Sequence, residues 1–368
     1  MNRTTRSTLA LLLALCLMMA VFAGCTSKSS AETVNNAEST STSTAAAAAD
    51  TYIIGLDCPM TGGNASFGEQ PSYGAQMAVD EVNANGGSID VRKMSKALGI
   101  PVFSYIPPSA WAWRRGRAKM VAGLCTKVAC IYPFAAQVYQ EAGANVEFVG
   151  NPLVDIVQPE MSPQEAEAFL GKRPGHPVVL LLPGSRVKEI TGVLPVMLQA
   201  LPLIKKQQPD VDFVLQKAPS IDRDLLDSLL ARSPEPVKVV EGHNYDVMTA
   251  SDAALATSGT VTLEAALCGL PSVICYRASA LSIFLARQLV YVKYIGLPNI
   301  LAGKEILPEL IQENMTPERM ASAVLAFLEP EGARSVRREL QQAVAKLGKP
   351  GAVDRTAALI LETAKEKE

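Results

Sequence analysis

Val178-Val179-Leu180-Leu181-Leu182-Pro183-Gly184-Ser185-Arg186 is the stretch whose reading decides the fold. An unbroken apolar run of this length is what a parallel strand covered on both faces requires. Pro183-Gly184 ends the run, and a helical pattern follows in Leu194, Val196, Met197, Leu198, Leu201 and Ile204. The unit is therefore strand, turn and helix, and its turn leaves backbone N–H groups at the carboxyl edge of a sheet, where α/β proteins bind ligands. Ser185 adds a hydroxyl there, and Arg186 adds a planar cation able to grip a phosphate at two points. A plain strand-to-helix turn with a surface arginine is the alternative at this point.

A second unit of the same kind lies downstream. Ala253-Ala254-Leu255-Ala256 reads as a short strand, Ser258-Gly259-Thr260 opens a helix, and Gly269 stops it before Pro271. The start of such a helix presents unpaired N–H groups and a positive dipole end, which suit a diphosphate. Glu264 follows within the early turns, where a carboxylate can accept hydrogen bonds from ribose hydroxyls. Ser258 or Thr260 as a simple N-cap, with Glu264 as its capping-box acid, is compatible with the same text. Asn299, in Leu297-Pro298-Asn299-Ile300, either reads a base edge through its amide or makes a turn.

The bulk properties allow this reading and exclude others. The chain has 368 residues, 48% of them hydrophobic and 19% charged, which is ordinary globular composition and length for about two domains. A net charge of −2 gives no field to attract nucleic acid. His176 and His243 lie far apart without ligand spacing, which argues against a histidine metal site. Cys125, Cys130, Cys268 and Cys275 sit among apolar neighbours and read as buried free thiols of a reduced compartment.

The start of the chain reads differently. Arg3 and Arg6 precede an apolar run from Leu9 to Ala23, and then comes Phe22-Ala23-Gly24-Cys25. This is a signal-peptide pattern, too short for a permanent span. It resembles the lipobox of bacterial lipoproteins, which implies acylation of Cys25. Residues 26–50 are a Ser/Thr/Ala-rich tether. Residues 51–90 hold a strand at Tyr52–Leu56, a Gly-rich loop and a helix from Ser72 to Asn83, and they resemble the first βα unit of a branched-chain amino-acid-binding protein. From Val91 the text changes, and Lys96 to Tyr105 reads as a helix end, a glycine stop and a strand in the middle of an α/β domain.

Residues 91–368 resemble the lipid-A-disaccharide synthase family. The residues that carry the resemblance are Pro107-Pro108-Ser109-Ala110-Trp111-Ala112-Trp113-Arg114, Leu182-Pro183-Gly184-Ser185-Arg186, Ser258-Gly259-Thr260 with Thr262-Leu263-Glu264, and Leu297-Pro298-Asn299-Ile300-Leu301-Ala302-Gly303. The resemblance implies an α/β fold of the GT-B glycosyltransferase type: two Rossmann-like domains, the first truncated and its start replaced. It places the acceptor-domain remnant at 91–172, the UDP-sugar-binding domain at 173–330, and closing helices at 331–368, the last returning to the first domain. It implies inverting transfer of 2,3-diacylglucosamine from its UDP donor to 2,3-diacylglucosamine 1-phosphate, with no metal or cofactor. Ser185, Arg186, Ser258, Gly259, Thr260, Glu264 and Asn299 would bind the UDP-sugar. The family's base segment has no counterpart here, so no catalytic residue is assigned. Ala135 stands where the family usually has Glu, and Asn151 where it has His.

Two stretches read as membrane-facing. Tyr105, Trp111 and Trp113 lie beside Arg114, Arg115, Arg117 and Lys119, and Leu281–Lys293 mixes Phe284, Leu289, Val290 and Tyr291 with Arg287 and Lys293. Core packing with a solvated basic flank is the other reading of each. The expected address is the cytoplasmic side of the inner membrane, whereas the leader alone points to export. An exported branched-chain amino-acid-binding lipoprotein, or a chimera without function, is the alternative to the transferase.

Overall fold

The computed structural model describes residues 95–96, 99–279 and 288–365. The leader, tether and βα fragment read at 1–90 lie outside them, as does most of the helix read between Ser279 and Leu289. At the upstream end Gly99 takes a left-handed φ of 67°, and its N–H donates to Lys96 O at 3.1 Å. The helix end and glycine stop expected there are thus in place.

Strands and helices then alternate: β1 (Phe103–Tyr105), α1 (Gly116–Leu124), β2 (Lys127–Cys130), α2 (Pro133–Glu141) and β3 (Val146–Phe148). The three strands pair in parallel in the order β1-β2-β3. Val121, Val128, Cys130, Ala135 and Tyr139 form the core between this sheet and its helices. The Tyr139 hydroxyl donates to Pro108 O at 2.7 Å, which satisfies the one polar atom that ring buries. Two short helices follow, α3 (Leu153–Ile156) and α4 (Pro163–Leu170), the second opened by a reciprocal capping box between Ser162 and Glu165.

The larger sheet is built from β4 (Val178–Leu182), α5 (Val187–Gln207), β5 (Asp212–Gln216), α6 (Arg223–Leu230), β6 (Lys238–Val240), α7 (Asn244–Ala250), β7 (Ala253–Thr257), α8 (Thr260–Leu267), β8 (Ser272–Tyr276), α9 (Leu297–Ala302) and β9 (Glu309–Ile311). Its order is β6-β5-β4-β7-β8-β9, and every neighbouring pair is parallel. The chain winds outward from β4 to β6, returns to the centre at β7, and winds outward again. A crevice must therefore open at the carboxyl ends of β4 and β7, where the connections leave in opposite directions.

All five residues of β4 and all five of β7 are buried. Their side chains alternate as strand geometry demands. Val179, Leu181, Ala253 and Leu255 pack with Ile190, Leu194, Met197 and Leu201 of α5 and with Met320 and Val324 of α10 (Pro317–Leu328). Leu180, Leu182, Ala254 and Ala256 pack on the other face with Leu170, Val247, Met248 and Ala265. Small residues on β7 let the two central strands accept helices closely on both sides.

Helix α5 has a mean hydropathy of 1.4 and is long and apolar enough to cross a membrane by composition alone. Ile190, Val193, Leu194, Met197, Leu198, Leu201 and Ile204 are instead spent on the sheet and α10. The last two helices are α11 (Pro330–Val344) and α12 (Ala352–Lys365). α12 returns to the smaller sheet, where Leu359 packs on Ala129 and Val149 with Phe103 and Tyr105 beside them. The return is held by polar contacts. Asp155 accepts from Gly351 N (2.7 Å) and Ala352 N (3.2 Å), and Arg355 Nε donates to Val149 O (2.8 Å).

Candidate functional site

The crevice between β4 and β7 is lined by the two turns singled out in the sequence. In the first, Gly184 adopts a φ of 109°. That conformation strains any residue with a side chain, and a Cβ at Gly184 would also lie 2.8 Å from Glu189 Cβ and 2.7 Å from Glu189 Oε2. Glu189 is folded back over the turn: Oε2 accepts the Ser185 N–H at 3.3 Å, and Oε1 pairs with Arg186 Nη1 at 2.9 Å. Ser220 Oγ ties the turn to the β5–α6 connection by donating to Ser185 O at 2.7 Å.

In the second turn, Ser258 N donates to Cys275 O (2.9 Å) and Ser258 Oγ to Ile295 O (3.4 Å). Gly259 is exposed, in extended backbone, with open space where a Cβ would stand. It is the N-cap of α8 and provides no side-chain cap. Thr262 Oγ1 donates to Gly259 O at 2.8 Å, so the residue at the usual capping-box position is turned to a carbonyl. Glu264 lies beyond that position and does not close a capping box. Burial raises its pKa above the ordinary 4.5, and its charge in turn raises the pKa of Tyr245 and, to about 12, that of Cys268, both of which burial raises first. Among the described residues the helix start thus has no capping side chain, and one half-buried carboxyl stands in its second turn.

Asn299 is placed differently from the other site residues. It is 0% exposed, and its amide is saturated by the protein: Nδ2 donates to Leu307 O and Glu309 Oε1 (both 2.8 Å), and Oδ1 accepts from Ile306 N and Leu307 N (both 2.9 Å). No donor or acceptor is left for a base edge, so the turn-making reading describes it and the base-reading one does not. Glu309 also accepts from Ile295 N and Gly296 N (both 2.9 Å). Asn299 and Glu309 together fix the Ile295 carbonyl that receives Ser258, so Asn299 supports the second turn from behind.

Four residues at this edge were not singled out from sequence. Glu189 left a signal, an acid in the first turn of its helix. Arg277 directly follows β8 at the same carboxyl edge, and its guanidinium reaches Gly192 O of α5 at 3.4 Å. Thr257 ends β7, and its buried hydroxyl has no hydrogen-bond partner among the described residues. A polar residue closing an apolar strand was the available clue. Gln312 gave none: it takes a φ of 53° beyond β9 and clamps Ala278 by both backbone groups, accepting from its N–H (2.8 Å) and donating to its O (3.0 Å).

The smaller sheet supplies the opposite side. Tyr132 stacks on Phe134 (5.1 Å between ring centres), Phe134 meets Trp111 edge-on (4.8 Å), and Tyr132 and Phe134 pack with Leu263 of α8, Leu301 and Leu347. Ala135 is buried in the core of the smaller sheet. Asn151 is buried too: its Oδ1 accepts from Leu153 N (3.0 Å) and its side chain bonds the Tyr132 hydroxyl. Cys130, Cys268 and Cys275 have pKa values raised by burial, as inert thiols do.

Of the two stretches read as membrane-facing, Phe284 and Arg287 lie outside the described residues, and the described remainder of the second meets the first. Trp113 and Val290 form an antiparallel bridge, and Tyr291 N donates to Ala112 O at 2.9 Å. Arg115 lies over Tyr291 (4.9 Å), Arg114 and Arg117 over Trp113 (4.8 and 5.3 Å), and Lys293 over Tyr294 (5.1 Å). Leu289, Val290 and Tyr291 are 49%, 38% and 60% exposed. The result is a surface ridge of apolar tips set among cations.

Comparison with known proteins bears on the family and the fold. The family described as "Lipid-A-disaccharide synthetase" matches residues 77–363, starting upstream of the change of text read at Val91. A lipid-A-disaccharide synthase from Syntrophus aciditrophicus is 42% identical over 283 residues, covering 76% of this chain and 74% of its own. One from Geobacter sulfurreducens is 40% identical over 271 residues, covering 73% and 71%. Among solved structures, S. aureus MnaA in a UDP co-structure matches with a TM-score of 0.52 at 13% identity, over 75% of this chain and 74% of that one. A Listeria monocytogenes protein assigned as a UDP-N-acetylglucosamine 2-epimerase matches with 0.51 at 14%, over 75% and 72%. At such identities these structures speak for the fold alone: α/β with parallel sheets, of the GT-B kind.

Proposed function

The chain belongs to the lipid-A-disaccharide synthase family, and on that premise we propose that it transfers a 2,3-diacylglucosaminyl group from a UDP donor to 2,3-diacylglucosamine 1-phosphate, with inversion and release of UDP. The observation that carries the reading is the pair of turns flanking the β4–β7 crevice. One offers a cation and a backbone N–H, and the other offers the open start of a helix. An inverting transfer must stabilise a leaving diphosphate, and these are the groups that do so electrostatically. Glu264 is the group we assign to the ribose hydroxyls. Asn299 acts by holding the 295–309 connection, which removes it from the direct ligand set.

Calorimetry on the full chain tests the reading. UDP should bind, and Arg186→Ala should weaken it by about 10- to 100-fold, the worth of a charge-assisted hydrogen bond. A folded protein that takes up no UDP would sink it.

The ridge formed by Trp113, Leu289, Val290 and Tyr291 with Arg114, Arg115, Arg117 and Lys293 supports a peripheral membrane contact suited to acylated substrates. Co-sedimentation with anionic vesicles should fall when Arg114, Arg115 and Arg117 are changed together to Glu, while UDP binding stays. The address we propose is the cytoplasmic side of the inner membrane, the side that cytosolic UDP-sugars reach. The leader of residues 1–25 states the competing address. Metabolic labelling with a fatty-acid analogue decides between them, since incorporation at Cys25 means export.

A further inference from the structure

We infer that Glu189 competes with the donor's diphosphate for the first turn and Arg186, and that it leaves them when nucleotide binds. The inference rests on the nucleotide reading above and goes beyond it. Its first support is chemical identity. The two groups that the reading assigns to phosphate, the Ser185 N–H and the Arg186 guanidinium, are both engaged by one carboxylate, at 3.3 and 2.9 Å.

The second support is position. Helix α5 has Arg186 as its N-cap, and Glu189 stands at the third helical position. A capping-box acid there reaches back to the N–H of the N-cap residue. Glu189 instead reaches one residue further out, to Ser185, and lies over Gly184. Capping the helix does not require that reach, whereas covering the anion-binding turn does. The third support is the turn's own glycine. Gly184 provides the room for the carboxylate, since a Cβ would stand 2.7 Å from Glu189 Oε2. The absence of a side chain therefore serves the contact with Glu189 as well as the φ of 109°.

Two anions cannot share the turn. A diphosphate that enters meets a fixed negative charge a few ångströms away and must displace it from Arg186. The residue thus pre-shapes the turn and weakens ligand binding at the same time. Glu189 is half-shielded at 25% side-chain exposure, so the repulsion is neither fully screened nor that of a dry interior.

The test is UDP titration of the full chain by calorimetry, wild type against Glu189→Gln. Gln keeps the size and an acceptor for Ser185 but removes the charge. The variant should bind UDP about 3- to 10-fold more tightly at low salt, as expected from deleting one like charge at this range. Equal or weaker binding overturns the inference and makes Glu189 a positioning residue that stays with Arg186 in the complex. Binding by neither protein overturns the nucleotide reading and this inference together. Hydrogen–deuterium exchange gives a second readout that does not depend on affinity. Residues 183–190 should exchange faster in Glu189→Gln than in wild type, and UDP should restore their protection. In wild type UDP should change that protection little. A large gain of protection in wild type on adding UDP also overturns the inference, because the turn was then not already held.

Discussion

The two strand–turn–helix units at the crevice share a topology and differ in how their helix starts are satisfied. At β4–α5 the turn is closed by the chain's own Glu189 and needs a glycine at positive φ. At β7–α8 the N-cap is an exposed glycine in extended backbone with no capping side chain. The first turn depends on a glycine, is charged and is bridged by Glu189. The second is relaxed, neutral and open. One sheet edge thus presents a pre-shaped cation and a bare dipole end side by side, which is an asymmetry suited to a ligand with an asymmetric diphosphate.

The largest effect should come from removing the support behind the open turn. Asn299→Ala leaves buried amide and carbonyl groups and Glu309 without their partner, and it should cost about 2–4 kcal/mol of stability in urea unfolding. Next comes the comparison of the two glycines. Gly184→Ala must accept a positive φ and a clash with Glu189, and it should cost about 1–3 kcal/mol. Gly259→Ala meets nothing within 4 Å in extended backbone and should be neutral within about 0.5 kcal/mol. If both glycines cost the same, the contrast drawn between the turns is wrong.

Thr257→Val should stabilise the chain by about 1 kcal/mol, because it removes a buried hydroxyl that finds no partner among the described residues. If that hydroxyl serves the crevice, the same variant should bind UDP less well, and unchanged binding would show that it does not. The smallest effect concerns pH. Burial raises the Glu264 pKa above its ordinary 4.5 in the folded state. The folded protein therefore holds this proton more tightly than the unfolded chain does. The contribution to stability is full below pH 4.5 and is lost as pH rises through the folded value. Glu264→Gln should flatten this part of the stability–pH profile and be slightly more stable than wild type at neutral pH, while weakening UDP. A variant whose profile runs parallel to wild type above pH 4.5 would remove Glu264 from the account.

Much of the site was legible because it obeys local rules. The apolar run 178–182 could be nothing shorter-ranged than a covered strand, and the Pro183-Gly184 break and the Ser258–Thr260 helix start lay where local chemistry places them. Asn299 was the open case. Whether an Asn after Pro faces a ligand or the protein depends on what stands opposite, and here residues 306–309 do. Glu189 was visible as a first-turn acid, but its reach past the N-cap was not. Gln312 and the meeting of Trp113 with Val290 had no local signature at all.

The sequence by itself determined the strands, their helices, the two turns and the family, because these follow from hydrophobic period, backbone-breaking residues and short motifs. Only the tertiary structure decided which polar groups remain available to a ligand. Hydrogen-bonding capacity is shared among residues far apart in the chain, so Asn299 is consumed by the 306–309 connection, Arg186 is engaged by Glu189, and the start of α8 is left open. Those allocations depend on strand order and packing, and no local reading of the residues contains them.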